Sequence, residues 1–193
     1  MARGRISHIA LTVSDLLAGR SVELQLPDGP VCARRWPLRQ TRSFPSVIGE
    51  KCTVSEAKNV HLVSRRSAFG AFVAAKEVAP AMIARGRGTM LFTGATAGVK
   101  AGPKSVSFGP AKFAIRGLAQ SLARDLGPRG IHVARINVDG SIDIPGTRGL
   151  KPSLQDGDFL KPDAIAEPYW HLAHQDPSAW TMELEVRPFK ENF

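Results

Sequence analysis

Three short apolar runs constrain the last two-thirds of this chain: GTMLFTG (88–94), IHVARINV (131–138) and TMELEVRP (181–188). Each has the length and composition of a β-strand. Each is preceded by a stretch with helical character. In SAFGAFVAAKEVAPAMIARGRG (67–88), apolar residues at 69, 72, 73, 79, 82 and 83 predict a buried helix face. Pro80 should bend that helix, and Gly86 or Gly88 should end it. Residues 106–127 predict the clearest helix, with Ala111, Ile115, Leu118, Ala119 and Leu122 on one side and Gly127-Pro128 as a stop. A third helix is expected within 161–174, opened by Lys161-Pro162-Asp163. Helix and strand in strict alternation require a parallel sheet with crossover helices.

The first 66 residues lack this order. HIALTV (8–13) reads as a strand, and SVELQLPDGPVCARRW (21–36) as a hairpin around Pro27-Asp28-Gly29. Residues 37–54, rich in Arg, Ser and Pro, read as loop. Of the net charge of +9, this third carries +6. Such an excess could attract nucleic acid or acidic partners, but no aromatic–basic interleaving or nucleic-acid motif accompanies it, which favours a solvated surface. Cys32 and Cys52 have no metal-type spacing and point to a reducing, cytoplasmic setting. The opening residues lack a signal-peptide cleavage site, and no uninterrupted apolar run reaches the roughly 18 residues of a membrane span. The chain thus divides into an irregular basic segment, 1–66, and an ordered α/β unit, 67–193.

The residues of that unit carry a resemblance. MIARGRGTMLFTGATAG, FGPAKFAIRGLAQSLARDLGPRGIHVARIN and DGSIDIP follow one another in the order and spacing of the second half of a short-chain dehydrogenase/reductase. The tail resembles a bacterial subgroup whose last strand ends in Arg-Pro, here Arg187-Pro188. The resemblance implies a partial Rossmann-like, doubly wound parallel sheet and an oxidoreductase using NAD or NADP on a small-molecule substrate. In that family a tyrosine transfers the proton while hydride moves. A lysine one helical turn later lowers the tyrosine pKa and holds the nicotinamide ribose. A loop serine bonds the substrate oxygen, and an asparagine on the earlier helix holds a relay water.

Mapped onto this chain, the lysine is Lys112, but the tyrosine position holds Phe108, which has no proton to transfer. The serine position holds Ala95, and the asparagine position holds Ser67. The Pro-Gly turn of the family is Asp139-Gly140, and its threonine position holds Ile144. The resemblance assigns cofactor contact to Lys112, Thr93, Gly94, Asp139, Gly140 and Ile142. Thr93, Thr96, Ser105 and Ser107 are the nearby hydroxyls that could replace the missing groups. TGATAGVK (93–100) imitates a dinucleotide-binding Gly-rich turn, although AGPKS, rather than a helix, follows it.

Residues 1–66 contain only Gly4, Gly19, Gly29 and Gly49, so the family's N-terminal Gly-rich turn is missing from them. A non-homologous or truncated first segment is the expectation. Three functions follow: a weak or inactive NAD(P)-linked oxidoreductase, a non-catalytic protein that dimerises through its two long helices, or a defective product with an unprotected sheet edge.

Overall fold

The computed structural model describes residues 9–11, 24–26, 29–31, 65–103 and 105–191. Three short strands come from the first third: β1 (Ile9–Leu11), β2 (Leu24–Leu26) and β3 (Gly29–Val31). The hairpin is as expected, with β2 and β3 antiparallel and Leu26 opposite Gly29. Cys32 and Cys52 lie outside the described residues, as does most of the basic stretch around them.

The remaining order follows the alternation. A π-helical turn, Arg65–Phe69, runs into α1 (Gly70–Arg85), then β4 (Gly88–Thr93), a 3-10 turn (Thr96–Gly98) and α2 (Phe108–Leu126). After β5 (Ile131–Val138) come β6 (Ser141–Ile142), α3 (Pro145–Leu150), β7 (Phe159–Leu160), α4 (Pro162–Ala173) and β8 (Glu183–Val186). The short β6, α3 and β7 were not expected. Runs of two residues carry no periodicity to read.

The main sheet is wholly parallel in the order β1-β4-β5-β8. Ile9–Leu11 pairs with Met90–Phe92, so the segment expected to be irregular covers the edge of β4 that a defective product would have left bare. Helices lie on both faces. On one, α1 and α2 cover Met90, Phe92, Ile131 and Val133. On the other, α4 brings Leu172 against Leu91, Ala134, Ile136 and Val138. All eight residues of β5 are buried, as a central strand covered on both faces must be.

One expectation about α1 is corrected. The sequence pointed to Phe69 and Phe72 as core residues, but they are 54% and 47% exposed. The helix instead turns Ala71, Ala75, Val78 and Met82 inward. Small residues let it approach the sheet closely, and Met82 fills the remaining gap. By length and composition alone Ser67–Arg85 could cross a membrane. It carries Lys76 and Glu77 at its middle and packs one stripe onto the sheet, as core helices do.

Candidate active site

Alternation along β5 sets the site. Ile131 and Val133 extend the apolar core beneath α2, and the next two residues on that face are Arg135 and Asn137. Both are about 1% exposed. Parallel register places Arg135 beside Glu183 and Asn137 beside Glu185 of β8. Arg135 Nη1 donates to Glu183 Oε1 at 2.8 Å, and Nη2 donates to Asn137 Oδ1 at 3.0 Å. Asn137 Nδ2 donates to Glu185 Oε2 at 2.8 Å. The second oxygen of Glu183 accepts from Arg116 Nε of α2 at 3.0 Å. Burial pulls the Arg135 pKa down, while Glu183 pulls it back up.

The guanidinium of Arg135 lies directly under the loop that leaves β4. A Cβ on Gly94 would fall 2.6 Å from its Nη2. The loop therefore needs glycine there for close approach, whatever its backbone dihedrals. The following 3-10 turn is not continued as a helix, and α2 begins only at Phe108. That excludes TGATAGVK as a dinucleotide-binding turn, because no helix N-terminus follows it to face a phosphate.

Lys112 and Phe108 leave the same face of α2, one turn apart. Lys112 Nζ is 5.4 Å from the centroid of the Phe108 ring and donates to the Thr93 carbonyl oxygen at 3.3 Å. The ammonium thus reaches the carboxyl end of β4, where ligands bind in open α/β sheets. Lys112 is partly buried, and among the described residues it makes no ion pair. Burial, reinforced by the positive charge of Arg135, lowers its pKa to about 8.

Two of the four hydroxyls that could have replaced a missing acid, those of Thr93 and Thr96, are engaged in hydrogen bonds. Thr93 Oγ1 shares a 2.8 Å hydrogen bond with the hydroxyl of Tyr169 on α4. Burial raises the Tyr169 pKa, only partly offset by that bond, so its phenol holds its proton firmly. Thr96 donates to Asp139 Oδ1, tying the loop to the turn after β5. The other oxygen, Asp139 Oδ2, is buried and has no hydrogen-bond partner among the described residues. Gly140 follows at φ 149°, a conformation that disfavours side chains, and a Cβ there would meet Pro188 Cδ at 2.7 Å. Ser107 is buried at the start of α2 without a side-chain capping bond.

The structure thus brings together Lys112, Phe108, Thr93 and Gly94, with Asp139 and Gly140 joined to their loop through Thr96. Ala95 is extended just before the 3-10 turn, and its methyl offers no hydrogen bond. Ser67 is buried in the π-helical turn, which packs against α2. Ile142 pairs with Leu160 in β6, and Ile144 is half-exposed ahead of α3. Sequence reading missed Arg135 and its carboxylate. The signal was a charged residue inside an apolar strand, with Glu183 and Glu185 two apart in the strand beside it. It also gave no sign that Tyr169 of α4 reaches Thr93.

The model of the short chain dehydrogenase family matches residues 49–147, just over half of the chain. The chain belongs to that family. The match takes in residues 49–66, which the sequence reading had placed in the irregular segment. A (21S)-21-acetoxyl-apo-melianone synthase from Melia azedarach is 31% identical over 120 residues, 57% of this chain and 44% of that protein. A short-chain dehydrogenase from Rhodopseudomonas palustris superposes with a TM-score of 0.58 at 36% identity, covering 71% of this chain and 56% of that one. A putative NAD(P)-dependent gluconate 5-dehydrogenase from Beutenbergia cavernae, solved with bound NADP, gives 0.59 at 19% identity, covering 72% and 59%. This chain spans about half the length of the relatives it matches.

Proposed function

We propose that this chain is a diverged NAD(P)-linked short-chain dehydrogenase whose proton-transfer step is lost, leaving it weak or inactive as a reductase. One observation carries this reading: the group facing Lys112 from one helical turn away is the Phe108 ring, which cannot donate a proton. Ala95 likewise leaves the substrate oxygen without a serine hydroxyl. Thr93 and Thr96 hydroxyls are engaged with Tyr169 and Asp139, and so are poorly placed to substitute.

The residues present fit the nicotinamide-riboside end of such a cofactor. Lys112 has N–H groups for a ribose hydroxyl, and the orphaned Asp139 Oδ2 is a buried acceptor for an N–H or O–H donor. When bound, the cofactor would supply hydride. Lys112 would hold and orient it, and Arg135 beneath the loop would keep Gly94 and Thr93 in place. Nothing among the described residues offers a Gly-rich cradle for the pyrophosphate, so we expect weak binding. A reducing, cytoplasmic setting and a small-molecule substrate accompany this reading.

Titration with NADPH, followed by tryptophan quenching, tests it. Weak saturable quenching that is lost in Lys112→Met supports the reading, and unchanged quenching in that variant refutes it. The double change Phe108→Tyr with Ala95→Ser restores the acid and its helper, and we expect turnover well below that of ordinary family members because the phosphate grip remains poor. Turnover at their level would refute that part. A second reading, a non-catalytic homodimer, draws on the exposed Phe69 of the π-helical turn, Phe72 of α1 and Phe113 of α2. A stable dimer without nucleotide response would favour it.

A further inference from the structure

Once Phe108 has replaced a phenol, Lys112 is left as an amine without a partner in proton transfer. Its surroundings differ from those of an ordinary surface lysine. Nζ is held at the carboxyl end of β4 by one acceptor, the Thr93 carbonyl at 3.3 Å, which can bond an N–H of either the ammonium or the free amine. The Phe108 ring covers one side at 5.4 Å. No carboxylate pairs with it among the described residues. The charge that acts on it is the Arg135 guanidinium of β5, itself engaged with Glu183 of β8, which also holds Arg116 of α2. Asp139, beyond the loop, is bonded to Thr96.

We propose that Lys112 is a carbonyl-reactive nucleophile that condenses with small aldehydes, preferably those bearing an aromatic or apolar group, to form an imine. The Nζ lone pair attacks the aldehyde carbon to give a carbinolamine. The C–O bond then breaks, and both amine protons leave with the carbonyl oxygen as water. No oxidant or reductant is consumed. With its pKa lowered to about 8 by burial and by the charge of Arg135, roughly a tenth of the amine is unprotonated at pH 7, far more than for an ordinary lysine. The Phe108 face gives an aromatic substituent a surface to lie against, and it favours the cationic charge of a protonated imine. This inference is independent of dinucleotide binding, and its test uses no nucleotide.

The test is reductive trapping. The full chain is incubated with benzaldehyde or formaldehyde and sodium cyanoborohydride from pH 6 to 10, and modified lysines are located by mass spectrometry of peptides. At pH 7.5 we expect benzaldehyde to label Lys112 about tenfold faster, or more, than Lys76, Lys151, Lys161 or Lys190. The Lys112 rate should level off above roughly pH 8, while that of added Nα-acetyl-lysine continues to climb. Phe108→Ala should reduce the preference for benzaldehyde over formaldehyde at Lys112. Labelling of Lys112 no faster than the surface lysines, or still rising in parallel with added Nα-acetyl-lysine to pH 10, overturns the proposal. A benzaldehyde preference unchanged in Phe108→Ala overturns the assignment of the ring.

Discussion

The two faces of the main sheet are built from the same strands, yet along β5 only one buries a charged side chain. Toward α4, β5 presents Ala134, Ile136 and Val138, and the cluster around Leu172 stays apolar. Toward α2, the same strand begins with Ile131 and Val133 and then changes to Arg135 and Asn137. The apolar face can be stabilised by packing alone. The other face must satisfy a guanidinium at full burial, which only the matching carboxylates of β8 make tolerable. The lesson is local: the core ends where Arg135 begins, and Lys112 sits one layer above that boundary, exposed to its field.

The largest test of this contrast is Glu183→Ala. It strands Arg135 without its carboxylate, and we expect a loss of about 4 kcal/mol in urea unfolding. Arg135→Met should cost much less, because it removes the buried charge as well as the pair. Equal losses in the two variants would break the comparison. On the other face, Leu172→Ala leaves a cavity in a fully buried position and should cost about 3 kcal/mol.

A pH series sharpens the contrast with a smaller effect. The folded pKa of Lys112 lies below its unfolded value of 10.5, so between about pH 8 and 10.5 the unfolded chain binds the extra proton. Stability contributed by this residue therefore rises with pH across that window, by at most about 1.4 kcal/mol per pH unit, and is flat below it. In Lys112→Met that slope should vanish. Smallest is Tyr169→Phe, which removes the bond to Thr93 across the sheet edge and should cost about 1 kcal/mol, with no change in the pH slope assigned to Lys112.

The helices and strands after residue 67 were legible because their periods differ and each long run carries its own stop. The facing of α1 was not. Counting apolar residues favoured Phe69 and Phe72, whereas close packing on the sheet selected Ala71 and Ala75. Within the site, the Phe108–Lys112 spacing told which side chains share a helix face. What lay beyond reach were the pairings between distant segments. The bonds of Tyr169 to Thr93, Thr96 to Asp139 and Arg135 to Glu183 join residues 76, 43 and 48 positions apart. Only register and crossover geometry bring such groups together. Ile9–Leu11 was readable as a strand, but its place beside β4 was not, for the same reason.

The central claim is that position 108 stands where an acid would be tuned by Lys112. Phe108→Tyr, titrated by ultraviolet difference absorbance, tests it most directly. The account predicts that the introduced phenol ionises below the ordinary tyrosine value of about 10, that Tyr169 ionises above it, and that the low titration moves up when Lys112→Met is added. An introduced phenol that titrates at or above 10, and ignores the loss of Lys112, would contradict it.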